Sequence, residues 1–445
     1  MTKLARVLAT FVSATLAVGS TGVVLADSAG RGDGPGGDGG GRGFGGAGIV
    51  LAWNRELLHI VQTPGAQPAT VHQTRSYALL HAAIYDAVVS ITRTGTPYLL
   101  SVEAPRFARA DAAAAAAGHA ILTALYPAMT PELDRQLGDE LALIPGGQPK
   151  ERGIEVGVNA ASQLLVARAN DGSATIPAAF VAGSQPGDYR STPPNFPSPV
   201  FSNWGAVVPF VLESGSQFRP APPPPLTSAE YARAIIEVKS LGQDTSTTRT
   251  ADETVIGKFW APPIWNTWNA IAEQAALAHH TNLERTAALF AALDLTFADS
   301  AIAINDAKYH YQLWRPITAI RLADTDGNAA TIGDPNWTPL AVTAADPSYP
   351  GAHSTISAAG AAVLSSFFGN LDDIQISSSA LPGVIRSFDS YSAVATEAGL
   401  SRIFAGQHTR LDHEAGLELG TDVAQFVLRD TGIGRLGAAR PDDRP

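Results

Sequence analysis

Apolar residues recur at intervals of three and four along most of the chain, a spacing that predicts amphipathic α-helices. One such stripe, after Pro68, comprises Tyr77, Leu80, Ile84, Tyr85 and Val88. Residues that cap or open helices precede later stripes: Asp111, Thr130, Thr227 and Thr281. No strand-rich region interrupts this pattern. We therefore expect an all-α fold of two packed helical bundles.

A proline-rich segment, residues 185–226, divides the helical pattern. Because proline is excluded from helix interiors and central strands, we interpret this segment as a long surface excursion. Its aromatic side chains either pin it to the body or line a pocket mouth: Tyr189, Phe196, Phe201, Trp204, Phe210 and Phe218. We expect an N-terminal helical domain over residues 49–240, a second over 241–432, and a polar tail over 433–445.

The start of the chain has a different composition from the rest. Lys3 and Arg6 precede a short apolar run, which predicts a secretory signal peptide over residues 1–26, cleaved after Ala26. Glycine dominates residues 27–48, which we interpret as a linker. No later stretch is long and apolar enough to predict a stable membrane span. The sequence therefore predicts a secreted, extracellular protein.

The chain of 445 residues has no cysteine and a formal net charge of −11. The absence of cysteine excludes disulfides, thiolate metal ligands and cysteine nucleophiles, so stability must come from core packing. An acidic balance without a compensating basic run argues against a nucleic-acid partner. Basic residues clustered within such a chain instead indicate a pocket for a small anion.

Two cations lie near the end of a long helical stretch that Thr281 and Glu284 open with a capping box. Lys308 and Arg315 are seven residues apart, close to two helical turns, so we expect both to project from one helix face. Pro316 then ends or kinks the helix. Two cations on one face repel each other unless an anion lies over them.

A turn rich in proline and glycine leads into a second functional stretch. Its residues are Pro350, Gly351, Ala352 and His353. We expect Ser354 or Thr355 to cap a helix over residues 356–368. The N–H groups at such a helix start favour an anion, and we expect Gly351 and Ala352 to contribute to that binding.

A third stretch adds another cation and a second imidazole: Ser401, Arg402, His408 and Asp412. His408 and Asp412 are four residues apart, so on a helix the carboxylate bonds one ring nitrogen and fixes the tautomer. The other ring nitrogen is left free as a nucleophile or ligand. Together the three stretches predict a pocket for a tetrahedral oxyanion such as phosphate, located in the C-terminal bundle.

In order and spacing, these stretches resemble the superfamily that joins vanadium-dependent haloperoxidases to type-2 phosphatidic acid phosphatases and bacterial acid phosphatases. The family pattern is a Lys and an Arg-Pro separated by six residues, then Pro-Ser-Gly-His, then Ser-Arg followed by a His and an Asp. Lys308 and Arg315 fit the first part, and Arg402, His408 and Asp412 fit the third. The spacing of Arg402, His408 and Asp412 is similar to that of the soluble bacterial haloperoxidase branch.

Three positions depart from the family pattern. Gly351 replaces a serine, and losing a donor to a charged oxygen costs about 1.5–3 kcal/mol, so we expect a weakened but functional site. Asp346, seven residues before His353, and Asn305 replace aromatic residues of the chloride-oxidising type. Because a halide prefers a partly apolar pocket, we expect bromide or iodide to be oxidised more readily than chloride.

The resemblance implies a haloperoxidase reaction, which we favour. In that reaction vanadate is the cofactor, His408 is its single protein ligand, and Lys308, Arg315 and Arg402 hold its oxygens. Hydrogen peroxide binds the metal and His353 assists its deprotonation. The halide is then oxidised to hypohalous acid, which acts on an organic acceptor.

The same resemblance leaves a phosphatase reaction open, which needs no cofactor. There His408 attacks the phosphorus of a phosphomonoester, Asp412 orients it, and His353 protonates the leaving alcohol. A catalytically silent oxyanion-binding protein is a further hypothesis. A zinc or iron hydrolase using His310, His353, His408 and His413 is another, although no ligand spacing supports it.

Carboxylates within apolar helices need partners, because burying an unpaired charge is costly. Asp294, Asp299 and Asp306 interrupt the apolar run of the long helix. They either pair with the site arginines or bond to neighbouring elements. We interpret His81 and Asp86 as a buried structural pair.

Overall fold

A computed structural model of the chain describes residues 46–99 and 103–434. The predicted signal peptide, nearly all of the linker and most of the polar tail lie outside the described residues and stay predictions. Within the described ranges the chain is mostly helical, which confirms the all-α class. The expectation of packed helical bundles is also confirmed, and the placement of the site in the C-terminal one stays a prediction.

The helices are α1 (Ala47–Gln62), α2 (Gln73–Thr92), α3 (Ala110–Leu125), α4 (Thr130–Ala142), α5 (Gln148–Ala167), α6 (Ala229–Leu241), α7 (Ala251–Phe259), α8 (Ile264–Ala278), α9 (Leu283–Tyr311), α10 (Pro316–Arg321), α11 (Ala352–Phe368), α12 (Tyr391–Phe404) and α13 (Arg410–Thr431). Short 3₁₀ turns occur at Pro127–Met129, Trp204–Ala206 and Ala323–Thr325. One antiparallel hairpin, β1 (Leu371–Ser377) with β2 (Ile385–Ser390), joins α11 to α12 and was not expected.

Helix α9 lies at the centre of the fold. It packs against α1 and α2 from the first half of the chain and against α8, α11 and α13 from the second. The largest apolar core contains residues from Ile49 to Ile433, so both predicted domains contribute to it. The boundary at residue 240 stays a prediction.

The length and composition of α9 would also suit a membrane span, so the expectation that no stretch would qualify is wrong on those two criteria. The apolar window of this helix is entirely buried within the protein. Burial against neighbouring helices therefore accounts for its apolar composition.

The buried carboxylate Asp294 of α9 has partners outside the predicted site. It accepts hydrogen bonds from His81 Nδ1 at 2.6 Å and from Asn269 Nδ2 at 2.9 Å. His81 therefore pairs with Asp294, and the expected pairing with Asp86 is wrong. Asp86 instead accepts a hydrogen bond from the backbone N–H of Tyr98.

The other two carboxylates of α9 bind the proline-rich excursion. Asp299 accepts the backbone N–H groups of Phe210, Val211 and Leu212 at 2.6–2.8 Å. Asp306 pairs with Arg219 at 2.7 Å. All three carboxylates thus bond to neighbouring elements and none to the site arginines. The excursion is also anchored by buried aromatic side chains: Tyr189, Trp204 and Phe210.

Several helix starts differ from the predicted ones by a residue or two. Ser228 caps α6 in place of Thr227, and Asn282 caps α9 in place of Thr281. In each case the capping oxygen accepts the N–H three residues later, which a side chain one position earlier does not reach. Asp111 lies in the first turn of α3 and is not its N-cap.

Two glycines allow α13 to pack closely against α11. A Cβ atom at Gly416 would lie 2.6 Å from the carbonyl oxygen of Gly351, and one at Gly420 would lie 2.0 Å from that of Thr355. Any side chain at these positions would separate the two helices. This contact holds the start of α11 against the start of α13, where predicted site residues lie.

Candidate active site

The structure brings together six side chains that the sequence singled out: Lys308, Arg315, His353, Arg402, His408 and Asp412. They come from the end of α9, the turn into α10, the first turn of α11, the last turn of α12, and the start of α13 with the residue before its N-cap. Five are buried, and His353 is partly buried.

Lys308 and Arg315 do not share a helix face, contrary to the prediction. Helix α9 ends at Tyr311, and Gln312 has a left-handed φ of 47°. Arg315 is extended, with φ −80° and ψ 154°, as the N-cap of α10. The physical reason is Pro316, whose ring disfavours helical geometry in the preceding residue.

The two cations nevertheless meet, because both bind the carboxylate of Asp346. Lys308 Nζ lies 3.0 Å from Asp346 Oδ2, and Arg315 Nη2 pairs with Oδ1. Arg315 Nε also donates to the Asp346 carbonyl at 2.7 Å. Burial raises the pKa of Asp346, but the charges of Lys308 and Arg315 outweigh it and hold that pKa well below its usual range. The carboxylate is therefore ionised.

Backbone carbonyls complete the surroundings of both cations. Lys308 Nζ donates to the carbonyls of Pro347 and, at 3.3 Å, of Ser348. Arg315 Nη1 donates to the carbonyl of Gln407 at 2.9 Å. Burial and the neighbouring Arg315 lower the pKa of Lys308 to about 8, against the opposing effect of Asp346.

His408 precedes α13 and does not lie on a helix with Asp412, as the sequence had suggested. Thr409 caps α13, and Asp412 forms a capping box with it. The contact between the two side chains is still made, with His408 Nδ1 3.3 Å from Asp412 Oδ2. Asp412 also accepts the N–H of Thr409 at 2.7 Å and the hydroxyl of Ser348 at 2.8 Å. These donors hold the carboxylate in place beneath the imidazole.

The second nitrogen of His408 faces a cation. Nε2 lies 3.0 Å from Arg315 Nη1, which has only hydrogens to offer, so Nε2 accepts and Nδ1 carries the proton. Burial and the charge of Arg315 lower the pKa of His408 to about 3. The imidazole is therefore neutral, with its lone pair directed into the cationic cluster.

Arg402 and His353 share one acceptor. Arg402 Nη1 donates to the carbonyl of Trp260 at 3.2 Å, and His353 Nε2 to the same carbonyl at 2.9 Å. Burial, reinforced by Arg315, lowers the pKa of Arg402 to about 9. Among the described residues no carboxylate lies within ion-pair distance of Arg402. A buried cation without an anionic partner is costly, which fits a site built for a bound anion.

The second stretch has a different geometry from the one expected. Helix α11 begins at Ala352 with Gly351 as its N-cap, so neither Ser354 nor Thr355 is the cap. The N–H of Gly351 donates to the carbonyl of Asp412 at 2.8 Å and is therefore not available to an anion. A Cβ atom at Gly351 would lie 3.0 Å from that same oxygen, so a serine would not fit without a shift. Ala352 is the first residue of α11, so its N–H lies at the start of the helix.

Sequence reasoning gave no role to two residues that the structure places in the site. Asp346 enters the sequence analysis only as a departure from the family pattern, because it lies 31 residues from Arg315 and no local spacing links the two. No pattern in the sequence assigns a role to Ser348, which precedes His353 by five residues. For the zinc or iron hypothesis, the described residues contain no group of three or more His, Cys, Asp or Glu side chains arranged to hold a metal ion.

Comparison with known proteins agrees with this fold. Residues 288–431 match the family model of the VCPO second helical-bundle domain. This match confirms the resemblance of the chain to the vanadium haloperoxidase superfamily.

Individual relatives extend the likeness over most of the chain. It is 24% identical to vanadium chloroperoxidase from Curvularia inaequalis, over 83% of this chain and 80% of the relative. A bacterial vanadium-dependent iodoperoxidase structure is similar with a TM-score of 0.71 and 24% identity, over 86% of this chain and 95% of that chain. A holo-type bacterial vanadium-dependent chloroperoxidase structure is similar with a TM-score of 0.67 and 17% identity, over 87% of this chain and 98% of that chain.

Proposed function

We propose that the protein is a vanadium-dependent haloperoxidase that oxidises bromide or iodide with hydrogen peroxide. One observation carries the proposal: a neutral imidazole, His408, directs its Nε2 lone pair into a cluster of buried cations. A lone pair among cations suits a group that is both an electrophilic centre and an anion. Vanadate combines these two properties.

The residues present fit such a group. His408 Nε2 would be the protein ligand, and Lys308, Arg315 and Arg402 would donate to the oxygens. Arg402 contributes a buried positive charge that no carboxylate in the described ranges balances. When bound here, vanadate would supply a Lewis-acidic centre that activates hydrogen peroxide toward a halide.

The chain's own residues have separate tasks in this proposal. Asp412 and Ser348 hold the proton of His408 on Nδ1, so that Nε2 stays unprotonated. His353 is partly buried, and burial and the charge of Arg402 lower its pKa well below the usual value. Its neutral ring can accept a proton from peroxide, and the carbonyl of Trp260 favours the protonated ring.

The test uses protein stripped of metal. Bromination of an activated diketone with peroxide and bromide is measured with and without orthovanadate, and cleavage of a generic phosphomonoester is measured in parallel. We expect bromination only when vanadate is present. His408→Ala should abolish it, because the ligand is removed, and bromination that persists in this variant would refute the assignment.

The other outcomes identify the alternatives. Phosphoester cleavage that vanadate inhibits would make His408 a nucleophile in a phosphatase. Oxyanion binding without either activity would indicate a silent binding protein. We also propose that the protein is secreted, which the basic and apolar pattern of residues 1–26 supports.

A further inference from the structure

The carboxylate of Asp346 occupies one side of the cationic cluster. Its two oxygens contact Lys308 and Arg315, and its side chain is 18% exposed. The carboxylate therefore lies against two of the three cations proposed to hold an oxyanion. Arg402 is the cation that remains without a carboxylate among the described residues.

This carboxylate changes the charge that an incoming anion meets. Lys308, Arg315 and Arg402 carry three positive charges, and ionised Asp346 subtracts one of them before any ligand binds. In a partly buried site a single charge a few ångströms away has a large effect on ligand affinity. The effect is proportional to the charge of the ligand.

The positions of Lys308 and Arg315 do not depend on Asp346 alone. Lys308 is also held by the carbonyls of Pro347 and Ser348. Arg315 is also held by the carbonyl of Gln407 at 2.9 Å. Backbone acceptors would keep both side chains in place, so the carboxylate contributes chiefly its charge.

We propose that Asp346 is a specificity-determining residue that makes this site favour a singly charged tetrahedral oxyanion over a doubly charged one. Lowering the site charge by one removes twice as much stabilisation from a dianion as from a monoanion. Desolvation also costs a dianion more, because that cost rises steeply with charge. This inference deepens the proposed function, on which it rests for the identity of the monoanion.

The two candidate ligands of this site differ in charge. Near neutral pH orthovanadate is mainly a monoanion, whereas phosphate esters are largely dianions. Asp346 therefore disfavours phosphomonoesters relative to vanadate. A site with this carboxylate is selective for the cofactor against the abundant phosphate compounds that share its shape.

The test is calorimetric titration of the metal-free full chain with orthovanadate, a monoanion, and with sulfate, a tetrahedral dianion, at about pH 6, well below the pKa of Lys308. Asp346→Asn should tighten sulfate binding about tenfold and vanadate binding about threefold, since the dianion gains twice as much free energy. Asp346→Glu, which keeps the charge, should leave the ratio of the two affinities close to that of the wild type.

A matched control removes a carboxylate from an ion pair outside the site. Asp306→Asn on α9 breaks the pair with Arg219, whose atoms are 2.7 Å apart, and should leave both affinities unchanged. Melting curves establish that each variant is folded, and Asp346→Ser serves as a second neutral variant. Unfolding of both neutral variants would make Asp346 a structural residue and overturn the inference.

The outcomes separate this inference from the proposed function. An unchanged ratio of sulfate to vanadate affinity in Asp346→Asn would overturn the inference even if vanadate-dependent bromination is observed. A shifted ratio without any bromination would sustain the inference and refute the proposed haloperoxidase. Absence of binding of either anion to the wild type would overturn both.

Discussion

Lys308 makes anion binding dependent on pH. The side chain is fully buried, and burial together with Arg315 lowers its pKa to about 8. A bound anion stabilises the protonated amine of Lys308. Above the pKa of the free protein, anion binding must therefore be accompanied by uptake of a proton. Affinity should therefore be complete below about pH 8 and fall as the pH rises through that value.

Sulfate is the suitable probe, because its charge stays constant over this range. Titrations from about pH 6 to about pH 10 should show the association constant falling up to about tenfold per pH unit at the upper end. Lys308→Arg keeps the charge at this position, so its affinity should stay level until Arg402 loses its proton near pH 9. A fall of equal size in Lys308→Arg would assign the effect to another group.

Ser348 supports the proposed ligand indirectly, as a positioning residue. Its hydroxyl donates to Asp412 Oδ2 at 2.8 Å and lies 3.5 Å from His408 Nδ1. Ser348→Ala removes one donor from a buried carboxylate whose other oxygen, Oδ1, has no hydrogen-bond partner among the described residues. We expect a loss of about 1 kcal/mol in the free energy of unfolding.

The loosened imidazole should also weaken phosphate or vanadate binding by about threefold to tenfold, measured by calorimetry. Ser366→Ala is the matched control, because the hydroxyl of Ser366 donates to the carbonyl of Val363 within α11, away from the site. Equal effects of the two substitutions on anion affinity would show that Ser348 has no special role.

The residues of the candidate site were accessible from sequence because they occur in short ordered motifs. Their pairing was less accessible. Asp346 and Arg315 are separated by 31 residues, and no local spacing rule connects them. The prediction of two cations facing an external anion therefore missed the anion that the chain itself supplies.

At the scale of elements, helical periodicity predicted the existence of the helices better than their ends. Arg315 and His408 both fell outside the helices assigned to them, because Pro316 and the Thr409 cap set the boundaries. The structure nevertheless brings Arg315 near Lys308 and His408 into contact with Asp412. Tertiary packing, which a sequence pattern does not encode locally, brings the side chains together.

The contact between α11 and α13 is the element-scale feature most sensitive to substitution. Gly420→Ala would place a Cβ atom 2.0 Å from the carbonyl oxygen of Thr355, which is backbone and has little room to move. We expect thermal denaturation to show a loss of about 1–3 kcal/mol. The start of α11 should shift with it, so anion affinity should fall as well.

Gly138→Ala in α4 is the control for this substitution. A Cβ atom at Gly138 would meet no heavy atom within 4 Å, so alanine should instead stabilise the helix by about 0.5–1 kcal/mol. If Gly420→Ala were as stable as the wild type, the two helices would have to be free to move apart. The close packing would then not be what positions the site.

At the scale of the whole molecule, composition and length suggested two domains, whereas α9 packs against helices from both halves. The buried face of α2 includes residues that would remain unpaired if the halves separated: Tyr77, Leu80, Ile84 and Val88. Because α9 is buried almost throughout, removing α2 would expose an apolar surface to water.

A fragment covering residues 241–434 therefore tests whether the second half folds alone. It retains all six candidate site residues but lacks the helices that cover one side of α9. We expect it to aggregate or to melt without a cooperative transition in circular dichroism, whereas residues 46–434 should melt in one transition. A soluble fragment with a sharp transition and retained phosphate binding would show that the helices before residue 241 are dispensable, and that the boundary the sequence suggested is a real one.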